Sequence, residues 1–126
     1  MGTEKRWTSL DLNGPRFSEM TVVDLGNAKL IYLAGQVAQN SSLDVSGQTR
    51  EVLQYIDQLL AKAGANKTHI VQARIYLAST GDYAVMNAVW DDWVAPGHTP
   101  ARTTVGSRLV NLEYKVEIEI TAAVGV

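Results

Sequence analysis

Two glutamates near the end of the chain are spaced in a way that could support acid–base chemistry. In the segment 114–121 (YKVEIEIT), apolar residues alternate with Glu117 and Glu119. This period of two predicts a strand with both carboxylates on one face, roughly 6.6 Å apart at about 3.3 Å per residue. The spacing suits a general acid and a general base. It equally suits a solvated polar face on which Lys115 reduces the repulsion, and the pair alone does not decide between the two.

Arg102 is the second candidate for chemistry. It follows Pro100-Ala101 and opens a predicted strand, and the proline restricts the chain that leads into it. A planar guanidinium at such a position can bind a carboxylate through two parallel hydrogen bonds, which lysine cannot do. The ordinary alternative is a surface ion pair with one of the glutamates of the following strand.

The composition excludes several other kinds of chemistry. The 126 residues contain no Cys and two His, with 11 basic and 13 acidic side chains. A thiolate nucleophile, a disulfide scaffold and a cysteine-based metal site are therefore excluded, and a histidine-rich metal site is not expected. The formal charge of −2 argues against a nucleic-acid surface, which needs clustered basic residues. Carboxylates, arginines, hydroxyls and backbone groups remain.

The elements that must position these residues are predicted in the order β-β-β-α-β-α-β-β. Residues 46–63 repeat apolar side chains at helical spacing, with Ser46 as the expected cap and Gly64 as the stop. A second helix is predicted over 81–94, capped by Thr80, with Trp90 on its buried stripe. The strands are predicted at 5–10 (weakly), 19–25, 28–34, 72–78, 103–109 and 114–124, with a hairpin turn at Gly26-Asn27.

This order predicts one α+β domain over residues 1–126, with a six-stranded sheet and both helices on one face. The last two strands, joined by residues 110–113, are expected to be adjacent and antiparallel. Uncharged residues on both faces of the strands favour burial of the open face in an oligomer, and a monomer with a polar sheet face is the alternative. The polar N-terminus and the absence of a long apolar stretch indicate a cytoplasmic protein with no membrane segment.

The chain also resembles a known family, the Rid or YjgF group of reactive-intermediate (enamine/imine) deaminases. The resemblance rests on Pro-Ala-Arg at 100–102 with Val-Glu-Ile-Glu at 116–119, and on Ala-Gly-Gln at 34–36. Further matching pieces open the two helices, at 47–50 (GQTR) and 82–87 (DYAVMN). The resemblance covers residues 16–124.

The resemblance implies a chorismate-mutase-like fold, a homotrimer and three clefts between subunits. It implies that Arg102 binds a substrate carboxylate, that Glu117 positions a hydrolytic water, and that Gly35 and Asn87 line the cleft. The implied reaction converts a small 2-imino acid, such as the 2-iminopropionate formed from 2-aminoacrylate, to a 2-keto acid and ammonia. It needs no metal or cofactor, and the ligand is a small carboxylate-bearing imine or keto acid.

Two positions depart from the family pattern. Phe17 follows Gly-Pro-Arg where many members have a tyrosine directly after Gly-Pro, and Thr104 occupies a position at which many members have cysteine. Both are expected to line the pocket and to affect the choice of substrate. The alternatives are therefore a Rid-like protein that binds small carboxylates without turnover and, least favoured on charge, an endoribonuclease or translation inhibitor.

Overall fold

The computed structural model describes residues 14–125 in full and the backbone of residues 3–6. The strands are β1 (Thr3–Arg6), β2 (Met20–Asp24), β3 (Ala28–Leu33), β4 (Ile70–Leu77), β5 (Ala101–Gly106) and β6 (Val116–Gly125). The helices are α1 (Val45–Lys62) and α2 (Tyr83–Trp93), with single 3₁₀ turns at Lys67–His69 and Thr80–Asp82. The six strands form one mixed sheet in the order β1-β2-β3-β6-β4-β5. The α+β class and the six-stranded sheet are as predicted.

The core lies between one face of the sheet and the two helices. Val116, Ile118 and Ile120 of β6 point to this face and are almost completely buried. They share one cluster with the apolar stripe of α1 and with Met86 and Trp90 of α2. Because all of these residues belong to a single cluster, both helices lie on the same face of the sheet, as the element order predicts.

The predicted caps of the two helices are wrong at both N-termini. Asp44, rather than Ser46, caps α1, because its carboxylate accepts a 2.8 Å hydrogen bond from the Gly47 amide. At the second helix, Thr80 belongs to a 3₁₀ turn, and α2 begins at Tyr83 without a side-chain cap. The C-terminal stop of α1 is confirmed, since Gly64 adopts the left-handed φ of 76° that favours glycine.

The predicted pairing of the last two strands is also wrong. β5 pairs in parallel with β4, and β6 pairs antiparallel with β3 and β4 in the centre of the sheet. The cause is the length of the connection: β5 ends at Gly106 and β6 begins at Val116. These nine intervening residues carry the chain past β4, whereas a hairpin closes with a turn of a few residues. The hairpin between β2 and β3 at Gly26-Asn27 is confirmed.

The second face of the sheet is not covered by any part of the chain that the structure describes. It carries uncharged side chains such as Tyr32 and Val105, each about two-fifths exposed, beside Arg74, Glu117 and Glu119. The weak strand predicted at 5–10 overlaps β1 at residues 5 and 6, and residues 7–10 lie outside the described residues. Within the described residues, neither helix is long and apolar enough to cross a membrane.

Candidate functional site

The first group of predicted site residues lies on the uncovered face of the sheet. Glu117 points into a cleft of about 370 Å³ that is also lined by Gly35, Tyr76, Glu119 and Ser107–Val110. We call this the carboxylate cleft. The Gly35 segment is held against β6 by two backbone hydrogen bonds between Gln36 and Ile118, of 2.8 and 3.1 Å.

Gly35 allows the Glu117 side chain to lie directly against the backbone. A Cβ atom at position 35 would stand 2.1 Å from Oε2 of Glu117 and 2.9 Å from its Cδ. Non-bonded atoms do not approach a Cβ atom this closely, so only glycine at position 35 permits this arrangement of the carboxylate. The Ala-Gly-Gln segment therefore determines where the Glu117 carboxylate sits.

The two glutamates of β6 have different environments. Glu119 accepts a 3.2 Å hydrogen bond from the Tyr76 hydroxyl and lies 3.7 Å from Nη1 of Arg74. Burial raises the pKa of the Glu117 carboxyl above its ordinary 4.5, and the charge of Glu119 raises it further. Glu119 is thus held by Tyr76 and Arg74, whereas Glu117 has a raised pKa, which suits a carboxyl that accepts and returns a proton.

The second group lies on the opposite face, where β5 meets α2. The Arg102 guanidinium packs between two rings of α2, with its carbon 5.8 Å from the centre of the Tyr83 ring and 5.4 Å from the Trp90 ring. Its Nη2 donates a 3.2 Å hydrogen bond to the Tyr83 hydroxyl. We call Tyr83, Trp90 and Arg102 the arginine platform. It orients the guanidinium by aromatic contact, so that a full positive charge remains for an anion.

Asn87 and Thr104 stand beside the arginine platform. Asn87 lies one turn after Tyr83 on α2, and Thr104 lies two residues after Arg102 on the same face of β5. Asn87 Oδ1 and Thr104 Oγ1 are both buried without a hydrogen-bond partner among the described residues. Unpaired buried polar atoms are rare in folded proteins, and two of them next to the arginine mark this junction as unusual.

The strand register shows that the two groups face away from each other. Arg102 is paired with Ala73, which points into the core, whereas Glu117 is paired with Tyr76, which points to the uncovered face. Residues paired across a ladder share a face of the sheet. Within one chain, the sheet itself therefore separates Arg102, Asn87 and Thr104 from Glu117 and Gly35.

Phe17 lies between Gly35 and helix α1. It is 58% exposed and lines a second cleft of about 340 Å³ together with Gly35, Gln36 and residues of α1. Gly35 therefore lies between this cleft and the carboxylate cleft. Phe17 and Gly35 thus line a common cleft, and the place of Phe17 in a substrate pocket stays a prediction.

Four residues that contact the predicted site residues were not identified as candidates from the sequence. Tyr83 and Trp90 have the helical spacing of core residues, and their contact with Arg102 depends on β5 lying under α2. Arg74 and Tyr76 lie two residues apart on the same face of β4. Only the register between β4 and β6 shows that Arg74 is opposite Glu119 and that Tyr76 is opposite Glu117. Among the described residues, no three His, Asp or Glu side chains are grouped so that they could hold a metal ion.

Comparison with known proteins shows close relatives. Residues 15–124 match the sequence model of the family described as endoribonuclease L-PSP. The chain is 44% identical to a RutC family protein of Haemophilus ducreyi over 117 residues, which is 93% of this chain and 96% of the relative. It is 48% identical to the RutC family protein YoaB of Escherichia coli K12 over 94 residues, or 75% of this chain and 82% of YoaB.

Solved structures give the same result. A member of the YjgF protein family from Neisseria meningitidis superposes with a TM-score of 0.82 at 44% identity, covering 95% of this chain and 93% of the other. The Rid family protein YyfA from Yersinia pestis superposes with a TM-score of 0.80 at 26% identity, covering 98% and 100%. From the family match and these relatives together, we conclude that the chain belongs to the endoribonuclease L-PSP family, the group also called YjgF or Rid.

Proposed function

We propose that the protein is a cofactor-independent enamine/imine deaminase that hydrolyses small 2-imino acids to 2-keto acids and ammonia. The observation that carries the proposal is that the chain offers both a glutamate of raised pKa, Glu117, and an arginine, Arg102, whose partners among the described residues are aromatic and not acidic. Imine hydrolysis needs a proton acceptor for water and a cation for the carboxylate, and these are the two groups that the chain offers.

The proposed reaction balances with these residues alone. The Arg102 guanidinium binds the carboxylate of the 2-imino acid through parallel N–H donors. Glu117 takes a proton from water as the water oxygen attacks the electrophilic imine carbon. The protonated Glu117 then returns the proton to nitrogen, which gives a carbinolamine with one hydroxyl and one amino group on the same carbon. A second transfer through Glu117 moves the hydroxyl proton to the nitrogen as the C–N bond breaks, and ammonia and the 2-keto acid leave.

The opposite orientation of the two groups leads to the second part of the proposal, which is that a complete site requires two copies of the chain. One small molecule cannot contact Arg102 on the core side of the edge strand β5 and Glu117 on the uncovered face of the same sheet. The uncharged side chains of that face offer a surface for a second copy. We therefore propose a homotrimer in which Arg102 of one copy faces Glu117 of the next.

Mixing two inactive variants tests the shared site directly. Arg102→Ala and Glu117→Gln chains are each expected to lack activity, whereas a mixture allowed to exchange subunits contains sites that combine the intact residue of each variant. Random assembly gives such sites roughly a quarter of the time, so about one quarter of the wild-type rate is expected. If both residues act within one chain, the mixture stays inactive, and a light-scattering mass near 13.7 kDa would also contradict the proposal.

The activity itself is tested with 2-iminopropionate generated in place by an amino-acid oxidase acting on alanine, with semicarbazide trapping the imine that remains. The wild-type protein is expected to lower the yield of semicarbazone in proportion to its concentration. Lack of acceleration together with retained binding of pyruvate would instead favour a carboxylate-binding protein without turnover. That alternative is supported by Phe17 and Thr104, the two departures from the family pattern.

The charge of the chain gives little support to the two RNA-related functions named for relatives. The family model is described as an endoribonuclease, and one Salmonella typhimurium structure, 38% identical with a TM-score of 0.79, is titled a putative translation initiation inhibitor. RNA binding depends on basic surface that neutralises phosphates, and this chain carries a formal charge of −2. We therefore place RNA cleavage and translation inhibition last.

A further inference from the structure

The Tyr83 hydroxyl lies at the centre of a small network on the arginine platform. Its oxygen accepts a 3.2 Å hydrogen bond from Nη2 of Arg102. The neighbouring Asn87 amide and then the charge of Arg102 lower the pKa of the phenol below its ordinary 10, while burial and the charge of Asp91 act in the opposite direction. The Tyr83 oxygen is therefore the acceptor in its hydrogen bond with Arg102, and the phenolic proton is not used there.

The Asn87 side chain does not take the phenolic proton of Tyr83. Asn87 Oδ1 is buried without a hydrogen-bond partner among the described residues, so it accepts no proton from the Tyr83 hydroxyl. Arg102 has only donors and cannot accept it. Neither neighbour therefore accepts the phenolic proton, and the proton is available to a third group.

That third group must be an acceptor that approaches from solvent. Tyr83 is 47% exposed, and its hydroxyl lies beside the guanidinium that the proposed function assigns to the substrate carboxylate. A carboxylate has two oxygens with about four lone-pair positions, so it can accept from a guanidinium and from a phenol at the same time.

We propose that Tyr83 is a second carboxylate-binding residue of the site, donating its phenolic proton to the same carboxylate that Arg102 binds. This inference rests on the proposed function for the identity of the ligand. The phenol holds the guanidinium in place through its oxygen and binds the ligand through its proton. A substrate whose carboxylate is replaced by an amide, which offers one oxygen in place of two, loses one of these contacts.

The test uses pyruvate as the probe, with binding measured by calorimetry on the wild-type protein and on two variants. Tyr83→Phe keeps the ring on Arg102 and removes the hydroxyl, and Tyr114→Phe, between β5 and β6, is the matched control. A charge-assisted hydrogen bond at an exposed site is worth about a tenfold change in dissociation constant. Pyruvate is therefore expected to bind Tyr83→Phe about tenfold more weakly at pH 7 and to bind Tyr114→Phe as it binds the wild type.

The pH dependence separates ligand binding from a purely structural role. In the wild type, affinity for pyruvate is expected to fall as Tyr83 loses its proton, at a pH below 10. Tyr83→Phe should lack this decrease, because no phenolic proton remains to be lost. A variant that binds pyruvate as the wild type does, or that shows the same decrease at high pH, would overturn the inference.

Failure of the proposed function gives a different result. In that case the wild-type protein does not accelerate hydrolysis of 2-iminopropionate, whatever residue stands at position 83. If the wild type is active and Tyr83→Phe has an unchanged KM, the inference is wrong and the proposed function stands. If the wild type does not bind pyruvate at all, the assignment of a carboxylate to this platform is wrong, and the inference is overturned with it.

Discussion

Replacing Gly35 with alanine is expected to inactivate the protein without unfolding it. The new Cβ would lie 2.1 Å from Oε2 of Glu117, and an ordinary contact requires at least 3.4 Å. The carboxylate oxygen must therefore move by about 1.3 Å, the difference between these two distances. A misplacement of about 1 Å at a reacting group can cost on the order of 100-fold in rate, so kcat/KM for 2-iminopropionate should fall by roughly that factor.

The fold should tolerate this change because only the end of a flexible side chain has to move. Gly35 is not among the glycines with positive φ, so alanine meets no backbone strain there. Gly125→Ala is the matched control, since a Cβ at position 125 meets nothing within 4 Å. Both variants are expected to melt within a few degrees of the wild type, as followed by circular dichroism.

A double variant sharpens the test. Shortening the glutamate in Glu117→Asp makes room for a Cβ at position 35, so the two changes should not be additive. The rate lost on adding Gly35→Ala to Glu117→Asp should be well below the roughly 100-fold expected in the wild-type background. The reasoning is refuted if Gly35→Ala keeps activity within twofold of the wild type, or if the two losses multiply.

Three further predictions concern the charges of the site. Glu117→Gln should lower kcat by about 100-fold or more, as loss of a general base does. The raised pKa of Glu117 in the folded protein means that its ionisation lowers stability as pH rises above 4.5. Glu117→Gln should therefore gain unfolding free energy relative to the wild type as pH rises above that value, measured with urea. When kcat/KM is plotted against pH, the rise on the acid side should have its midpoint above pH 4.5. Glu119→Gln should lower that midpoint, because it removes the neighbouring charge. An unchanged midpoint would mean that Glu117 is not the titrating group. Arg102→Lys should raise KM about tenfold or more, because lysine cannot form the two parallel hydrogen bonds to a carboxylate. Arg74→Lys, outside the arginine platform, should leave KM near the wild-type value. Equal effects of the two variants on KM would contradict the assignment of the carboxylate to Arg102.

The sequence alone was sufficient to predict most of the helices and strands and to nominate candidate site residues. Alternation in β6 placed Glu117 and Glu119 on one face, and helical spacing identified the buried stripe of α1, because both patterns depend only on local backbone geometry. The Pro-Ala-Arg and Ala-Gly-Gln segments, with the glutamates, pointed to the family that the comparisons confirm.

Only the tertiary structure decided how these residues stand relative to one another. The position of β6 between β3 and β4 depends on pairing between strands far apart in sequence, which local patterns do not encode. That pairing places Arg102 on the core side of the sheet and Glu117 on the uncovered side. It also brings the rings of Tyr83 and Trp90, which have the helical spacing of core residues, against the Arg102 guanidinium. The positions of Arg102 and Glu117 in the sequence can therefore be read directly from the chain. Their placement on opposite faces of the sheet depends on pairing between strands that are far apart in sequence.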